Sequence, residues 1–191
     1  LAAVGADPVQ VRRPEELEGL DGLVLPGGES TTVGLVAQRT GLLPALRAAI
    51  VEQALPVFGT CAGLIMLARE TTGGAQPLIG GLDLVVRRNA FGRQAASFEA
   101  ELEVPALGPQ PVPGVFIRAP WIEWAGPGVE VLASHRGHIV AARQGDRLVT
   151  AFHPELTGDR RFHASFVDGL RRRRERREEE RAKGRLRVRA Q

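Results

Sequence analysis

The feature that most constrains the fold is a glycine-flanked turn between two apolar runs. Residues 55–58 predict a buried strand, and residues 64–68 predict a helix. Between them Gly59 and Gly63 flank Cys61 in the pattern G-x-C-x-G. The same spacing around a serine forms a sharp strand-to-helix turn that lifts the side chain above a sheet. The pattern therefore predicts an α/β unit with a thiol at its bend.

Cys61 is the only cysteine of the chain, and its position predicts reactivity. The free N–H groups and the positive dipole end of the predicted helix point at the sulfur, which favours the thiolate form. A lone cysteine is otherwise a small buried apolar residue. From its spacing alone Cys61 is a candidate nucleophile, with a packing role as the alternative. One cysteine forms no internal disulfide, so nothing in the sequence argues for secretion.

Length and composition indicate one soluble domain. The chain has 191 residues, of which 43% are hydrophobic, enough for a core of ordinary size. No apolar run approaches the roughly 18–20 residues of a membrane span, and residues 1–8 lack the basic start of a secretory leader. We therefore expect a cytoplasmic protein with no membrane partner, in a compartment that keeps a thiol reduced.

The order of predicted elements indicates an α/β fold with a mostly parallel central sheet and helices on both faces. Strands and helices alternate up to residue 70, with strands at 9–11, 22–25 and 57–58 and helices at 31–39, 43–54 and 62–70. After residue 80 the predicted strands follow one another without helices, which indicates an added mixed or antiparallel section; they are 82–86, 98–104, 114–117, 129–133, 139–142 and 148–152. A closing helix is predicted at 159–180.

A base for the thiol is predicted at His153, which follows the strand at 148–152. Active sites of α/β proteins collect at the carboxyl ends of strands. Glu155 lies two residues further on, and residues i and i+2 of an extended backbone share a face, so its carboxylate can orient the imidazole. For this His-Pro-Glu segment alone, an exposed loop is the favoured alternative. The other histidines are expected to be structural or exposed; they are His135, His138 and His163.

A second loop, in residues 25–32, carries Gly27 and Gly28 between a predicted strand and a helix. Glycines permit positive φ and expose backbone N–H groups, which can bind an anion or form an oxyanion hole. Ser30 or Thr31 can equally be an ordinary helix N-cap. The segment lacks the Gly-Lys-Ser/Thr ending of a phosphate-binding P-loop. No group of Cys, His and Asp residues has metal-site spacing, so no metal is expected.

The positive charge of the chain is concentrated in residues 171–191. That segment holds eleven basic and four acidic residues, a net charge of +7, so the rest of the chain carries −4 of the total of +3. Spacings such as Arg174 to Glu178 favour a solvated, partly helical tail. A basic arm that contacts RNA or an acidic partner is the alternative. Nucleic acid is not an expected partner, because a nucleic-acid-binding domain carries its positive field on the folded body.

Five segments together resemble the glutaminase subunits of pyridoxal 5′-phosphate synthase, a family of class I (triad) glutamine amidotransferases. In chain order they are Leu-Pro-Gly-Gly-Glu-Ser-Thr-Thr (25–32), Phe-Gly-Thr-Cys-Ala-Gly-Leu-Ile (58–65), Arg-Asn-Ala-Phe-Gly-Arg-Gln (88–94), Phe-Ile-Arg-Ala-Pro (116–120) and Phe-His-Pro-Glu-Leu (152–156). The second and the last indicate only the wider superfamily, whereas the other three are more specific to the vitamin B6 branch. The resemblance implies a three-layer flavodoxin-like glutaminase domain over residues 1–170 and leaves 171–191 as a charged tail.

The resemblance implies a role for each matching residue of the triad. Cys61 would attack the side-chain amide of L-glutamine, His153 would take the thiol proton and then protonate the leaving ammonia, and Glu155 would orient His153. The backbone N–H groups of Gly28 and Ala62 would hold the oxyanion. The thioester would then be hydrolysed to glutamate.

Further positions match the glutamine-binding residues of the family; they are Gly28, Glu29, Ser30, Arg88, Ile117 and Arg118. An arginine can pair with the α-carboxylate of glutamine and a glutamate with its α-ammonium group. The pattern leaves open which residue meets which end. The resemblance also implies that this subunit needs no cofactor of its own and passes ammonia to a (β/α)8-barrel synthase subunit in a hetero-oligomeric complex.

The sequence departs from the family pattern at both ends. The family begins with a strand and a Leu-x-Leu-Gln-Gly segment, whereas residues 1–7 look like the end of a helix that runs into a strand. We therefore expect the first strand to be missing, and the arginine-rich tail exceeds the pattern. Two other functions stay open. One is a glutaminase subunit or γ-glutamyl hydrolase of another class I branch, and the other is a catalytically impaired, truncated binding subunit.

Overall fold

The computed structural model describes residues 1–91 and 97–189, with side chains described up to residue 183. Four helices are formed: α1 (Ser30–Arg39), α2 (Leu42–Arg47), α3 (Ala62–Leu67) and α4 (Arg161–Arg189). The strands are β1 (Leu23–Leu25), β2 (Val57–Thr60), β3 (Ala68–Thr72), β4 (Leu82–Arg87), β5 (Ser97–Leu102), β6 (Val112–Ile117), β7 (Trp121–Ala125), β8 (Glu130–His135), β9 (His138–Gln144) and β10 (Arg147–Thr150). Within the described ranges, no helix is long and apolar enough to cross a membrane.

One mixed sheet organises the molecule. Its strand order is β1-β2-β10-β9-β7-β4-β3, with β8 paired to β9, and β5 pairs with β6 in a separate two-stranded ribbon. β1, β2 and β10 are parallel neighbours. From β10 onwards the pairings with β9, β7 and β4 are antiparallel. The sheet therefore has a parallel half, formed by β1, β2 and β10, and a mainly antiparallel half that begins at β9 and ends with the parallel pair β4–β3; we call it the antiparallel half.

Strand β2 shows how helices cover both faces of the sheet. Successive side chains of a strand point to opposite faces. Phe58 packs on Phe162 and Phe166 of α4, with ring centroids 6.4 and 5.8 Å away. On the other face, a Cβ at Gly59 would lie 2.7 Å from the carbonyl carbon of Gly63 in α3. Helices α3 and α4 thus form opposite layers, as the alternation of elements predicts.

Some predicted elements differ from the structure. Residues 9–11, predicted as a strand, are irregular, because the sheet ends at β1 and gives them no ladder among the described residues. The helix predicted at 62–70 ends at Leu67, and Ala68–Thr72 become β3 because they find a parallel partner in β4. Strand β7 was not predicted. The closing helix begins at Arg161 and extends to Arg189 rather than ending at 180.

Candidate active site

Three loops converge at one edge of the parallel half of the sheet. The segment after β1 carries Gly27 and Gly28, Cys61 follows β2, and His153 follows β10. These strands are parallel and adjacent, so their carboxyl ends meet at the same edge. The topology therefore brings together residues that lie far apart in the sequence.

Cys61 lies at the sharp strand-to-helix turn that its flanking glycines predict. Its backbone has φ 48° and ψ −99°, a sparsely populated conformation for a residue with a side chain. The Cys61 N–H donates to the carbonyl oxygen of Thr150, 2.8 Å away, which ties the turn to β10. A Cβ at Gly63 would come within 2.2 Å of the carbonyl oxygen of Leu25. The glycine thus lets α3 start directly against β1.

The thiol of Cys61 is buried, with 6% of the residue exposed. Its Sγ lies 4.0 Å from the carbonyl oxygen of Ile117, at the end of β6. The two-stranded ribbon therefore reaches the thiol and brings one of the predicted glutamine-binding positions, Ile117, to it.

The imidazole of His153 lies between two acidic groups. Its Nδ1 is 2.8 Å from Oε1 of Glu155, and only 12% of the His153 side chain is exposed. A hydrogen bond with the side chain of Cys61, followed in strength by the one with Glu155, raises the pKa of His153 to about 9. The ring therefore holds its proton at neutral pH. The structure thus brings the three predicted triad side chains into one line of contacts.

Glu155 reaches His153 through a turn rather than through an extended backbone. Residues Pro154–Leu156 form a single 3-10 turn that starts at His153. Burial is the largest single influence and acts to raise the pKa of Glu155, but the hydrogen bond with His153, a backbone hydrogen bond and the nearby histidine charges together lower the pKa overall. The hydroxyl of Thr60 lies 3.5 Å from the same carboxylate. The predicted contact is present, although the expected i, i+2 strand geometry is wrong.

Sequence reasoning noted Gly27 only as part of the double-glycine loop and did not predict its contact with His153. A Cβ at this position would lie 2.2 Å from Cε1 and 2.9 Å from Nδ1 of His153. The imidazole therefore rests directly on the backbone of the double-glycine loop. Gly28, by contrast, has φ 148°, and the nearest atom to the place of a Cβ is Cγ2 of Val33 at 4.0 Å, an ordinary contact.

The N-terminus of α1 is capped by Glu29, not by Ser30 or Thr31 as predicted. The Glu29 carboxylate accepts hydrogen bonds from the backbone N–H groups of Thr31 and Thr32, at 3.2 and 2.7 Å. The bond from the Thr32 N–H is the main cause that lowers the pKa of Glu29 to about 2. A longer carboxylate takes the capping role here because it spans to both donors. Glu29 is thus a fixed negative charge beside Gly28.

Arg88 joins this cluster from the end of β4. Its Nη2 donates to Oε1 of Glu29 at 3.2 Å and to the hydroxyl of Thr31 at 2.9 Å, and 15% of its side chain is exposed. Gln76 accepts a hydrogen bond from the hydroxyl of Ser30 at 2.8 Å. Gln76 lies in the loop between β3 and β4, which carries no motif, so nothing in the sequence pointed to it.

The remaining predicted residues lie at the ends of strands. Arg118 follows Ile117 at the end of β6, is exposed and has φ 43°. Ala62 is the first residue of α3, directly after the thiol. Part of the segment 88–94, namely residues 92–94, lies outside the residues that the structure describes.

The other histidines pack on aromatic rings away from the thiol. His138 stacks on Trp121 with ring centroids 3.6 Å apart. His135 lies 5.5 Å from Phe98, and burial lowers its pKa. His163 meets the edge of Phe58 at 5.5 Å. All three have the structural placement that was expected.

A thiol beside an imidazole that a carboxylate orients can attack a carbonyl carbon and return a proton to the leaving group. The neighbouring loops add backbone N–H groups, a carboxylate and a guanidinium. The site therefore has the parts required for acyl transfer from a small substrate that carries both charges.

Comparison with known proteins gives a consistent result. The model of the SNO glutamine amidotransferase family matches residues 1–172. A protein of Frankia alni named "Pyridoxal 5'-phosphate synthase subunit PdxT" is 61% identical over 173 residues, which are 90% of this chain and 86% of that protein. The protein of the same name from Streptomyces avermitilis is 57% identical, with the same coverage.

Solved structures agree on the fold. A crystal structure described as a glutamine amidotransferase has a TM-score of 0.82 and 48% identity, and covers 88% of this chain and 89% of that chain. The structure of a GMP synthase subunit from Thermoplasma acidophilum has a TM-score of 0.62 over 86% of this chain and 80% of that chain. At 19% identity the second likeness supports the architecture alone.

Proposed function

Because this chain belongs to the SNO glutamine amidotransferase family, we propose that it hydrolyses L-glutamine to glutamate and ammonia as the glutaminase subunit of a pyridoxal 5′-phosphate synthase. The observation that carries the proposal is the placement of the His153 ring between the side chain of Cys61 and the carboxylate of Glu155. The names of the relatives from Frankia and Streptomyces point to the same branch of the family.

The reaction begins at Cys61. Its sulfur attacks the side-chain amide carbon of glutamine as His153 takes the thiol proton, and the pKa of His153, about 9, favours the imidazolium that forms. Glu155 accepts from Nδ1 of the ring, which fixes the tautomer and turns the other ring nitrogen towards the sulfur. The imidazolium then gives its proton to the departing ammonia, which leaves a thioester on Cys61.

Water completes the cycle. Neutral His153 takes a proton from a water molecule, the resulting hydroxide attacks the thioester carbon, and the sulfur leaves as glutamate forms. Negative charge develops on the substrate oxygen in both halves of the reaction. The backbone N–H groups of Gly28 and Ala62 stabilise that charge. Ala62 opens α3, where the first N–H groups have no partner inside the helix.

Recognition of glutamine falls to the cluster beside the double-glycine loop. The carboxylate of Glu29 and the guanidinium of Arg88 are 3.2 Å apart and offer opposite charges to a zwitterion. Ser30, Ile117 and Arg118 complete the glutamine-binding set together with Gly28. Residues 1–170 form the glutaminase domain, and residues 171–191 lie outside the catalytic machinery.

The ammonia goes to a partner, a (β/α)8-barrel synthase subunit that incorporates it into pyridoxal 5′-phosphate. The two subunits form a hetero-oligomeric complex in the cytoplasm. Docking of the synthase is required to complete the oxyanion site, so the free subunit is nearly idle.

The test is a glutaminase assay with and without the synthase subunit from the same organism. Glutamate release is expected to rise at least tenfold when the synthase is added, and pyridoxal 5′-phosphate is expected to form when sugar phosphates are also present. Cys61→Ala is expected to abolish both. Full activity without any partner contradicts the docking requirement, and wild-type activity in Cys61→Ala contradicts the mechanism. Glutamate release without pyridoxal 5′-phosphate, under every partner condition, contradicts the pathway.

A further inference from the structure

Helix α4 continues past the body of the domain and carries most of the positive charge of the chain. Its first turns pack on the sheet through Phe162 and Phe166, whereas the side chains of residues 174–183 are exposed. Residues 171–191 have a net charge of +7 and residues 1–170 have −4. The two parts of the chain therefore differ in sign as well as in burial.

One row of arginines along α4 has a regular spacing. Its members recur at every fourth position: Arg173, Arg177, Arg181, Arg185 and Arg189. Positions four apart are neighbours on a helix surface, and each step turns about 40° around the axis, so the row winds gradually around the helix. With a rise of about 1.5 Å per residue, successive members are about 6 Å apart along the axis. The row places positive charge along the outer part of the helix.

Few ion pairs neutralise this row. Arg173 pairs with an aspartate of the body, and Glu178 pairs with Arg174. Among the side chains that the structure describes, Arg177 and Arg181 make no ion pair. Like charges at this spacing destabilise an isolated helix. The intrahelical pairing that the sequence favours is therefore incomplete, and the outer charge stays available to an external anion.

The composition of this part of α4 favours nucleic acid over a membrane surface as the partner. A helix that lies in a membrane interface has a broad apolar face with Trp, Phe or Leu. Residues 171–191 contain no aromatic residue, and their only large apolar residues are Leu186 and Val188, which lie about 200° apart around a helix and so form no broad apolar face. Phosphates along one strand of a duplex recur about every 3.4 Å, so arginines about 6 Å apart can meet about every second phosphate. Guanidinium groups bind phosphate through paired N–H donors.

We propose that the outer part of α4 binds the phosphate backbone of nucleic acid without sequence specificity. The negative charge of residues 1–170 keeps the bound strand on the helix and away from Cys61, so glutaminase activity is unaffected. The body lacks the positive field that a nucleic-acid-binding domain normally has, which is why the sequence alone argues against this partner. The proposal does not depend on the proposed function.

The test is fluorescence anisotropy of the full chain with two labelled probes, a 20-nucleotide oligo(U) RNA and a 20-base-pair DNA duplex. We expect binding at 50 mM salt to at least one probe. The logarithm of the association constant should fall linearly with that of the salt concentration, with a slope of about −3 for about four phosphate contacts. The tighter probe tells whether a single strand or a duplex is the ligand.

Two triple variants with opposite charge changes provide the control. Replacing the row positions Arg177, Arg181 and Arg185 by glutamine should weaken binding at least tenfold and reduce the salt slope by about 2. Replacing Glu178, Glu179 and Glu180 by glutamine should strengthen it. Both should keep the helix content by circular dichroism and the wild-type glutaminase rate.

Three outcomes overturn the proposal. The first is no binding of either probe by the wild type at 50 mM salt. The second is equal affinity of the two triple variants for the probes. This outcome counts even if the arginine variant loses helix content, because the glutamate variant by itself should bind more tightly than the wild type. The third is binding to vesicles of phosphatidylserine and phosphatidylcholine with none to either nucleic acid.

Discussion

The parallel and antiparallel halves of the sheet contribute differently to the site. The parallel half positions its groups through close backbone packing: Gly27, Gly59 and Gly63 each have atoms within 3 Å of where a Cβ would lie. The antiparallel half contributes the long side chain of Arg88, which extends to Glu29. The two-stranded ribbon contributes the end of β6, where the carbonyl oxygen of Ile117 lies beside the thiol. The comparison teaches that the proposed reacting groups are held by tight backbone contacts, whereas Arg88 reaches the proposed recognition cluster from the other half through its side chain alone. Substitutions in the two halves should therefore affect kcat and KM separately.

The substitution with the largest expected effect is Gly27→Ala, in the parallel half. A methyl group there would occupy the space of the His153 ring, whose Cε1 would be 2.2 Å away. The ring must move, and misplacement of a base by about 1 Å costs about 100-fold in rate. We expect kcat with the synthase present to fall about 100-fold or more while KM changes little. Steady-state kinetics measures both.

Gly169→Ala is the matched control for this substitution. Gly169 lies inside α4, and no atom comes within 4 Å of the place that a Cβ would take there. Alanine there should leave kcat unchanged and stabilise the helix by up to about 1 kcal/mol. Unchanged kcat in Gly27→Ala would mean that the ring does not rest on the loop during catalysis.

Glu155→Gln tests the same half through charge rather than space. The amide keeps the shape but removes the anion that helps to raise the pKa of His153. We expect kcat to fall about 10- to 100-fold, within the range of general acid–base contributions. We expect the alkaline limb of the wild-type pH profile near pH 9, and in the variant it should move to lower pH. Glu70→Gln, at an exposed position of β3, should change neither.

The same substitution has a consequence for stability. The pKa of His153 is about 9 in the folded protein, above the ordinary 6.5. Its protonated form therefore stabilises the fold fully below about pH 6.5, and the gain is lost as pH rises through about 9. Tm measured between pH 6 and 10 should fall more steeply in the wild type than in Glu155→Gln. Parallel curves would contradict the coupling.

Sequence reasoning succeeded where covalent spacing fixes geometry. The G-x-C-x-G pattern predicts the turn at Cys61 because both glycines are needed for a helix to start so close to a strand. Sequence reasoning failed where pairing between strands decides the secondary structure. Residues 68–70 were predicted to end a helix but belong to β3, because β4 is available beside them. Gln76 and the contact of Gly27 with His153 depend on loops meeting in space, and no local pattern records such a meeting.

In the antiparallel half, Arg88→Gln should act mainly on KM. It removes the guanidinium that pairs with Glu29 and bonds Thr31. Hydrogen bonds to charged groups contribute about 1.5–3 kcal/mol, so KM for glutamine should rise about tenfold or more, with kcat changed less than threefold. Arg87→Gln is the control, because Arg87 pairs with Glu123 away from the loop. A loss in kcat with unchanged KM would mean that Arg88 acts on the chemical step, which would contradict the assignment of kcat to the parallel half and KM to the antiparallel half.

The smallest expected effect belongs to Gln76→Ala. Gln76 accepts from the hydroxyl of Ser30 at 2.8 Å, and the hydroxyl of Thr31 lies 3.4 Å from the same oxygen. Loss of one neutral hydrogen bond is worth about 0.5–1.5 kcal/mol, which corresponds to a rise in KM of about two- to tenfold if Ser30 must be held in place to bind glutamine. Gln38→Ala, on the exposed side of α1, should leave KM unchanged. If Gln76→Ala lowers kcat instead, the α1 N-terminus takes part in holding the reacting groups, and the separation of geometry from recognition does not extend to this loop.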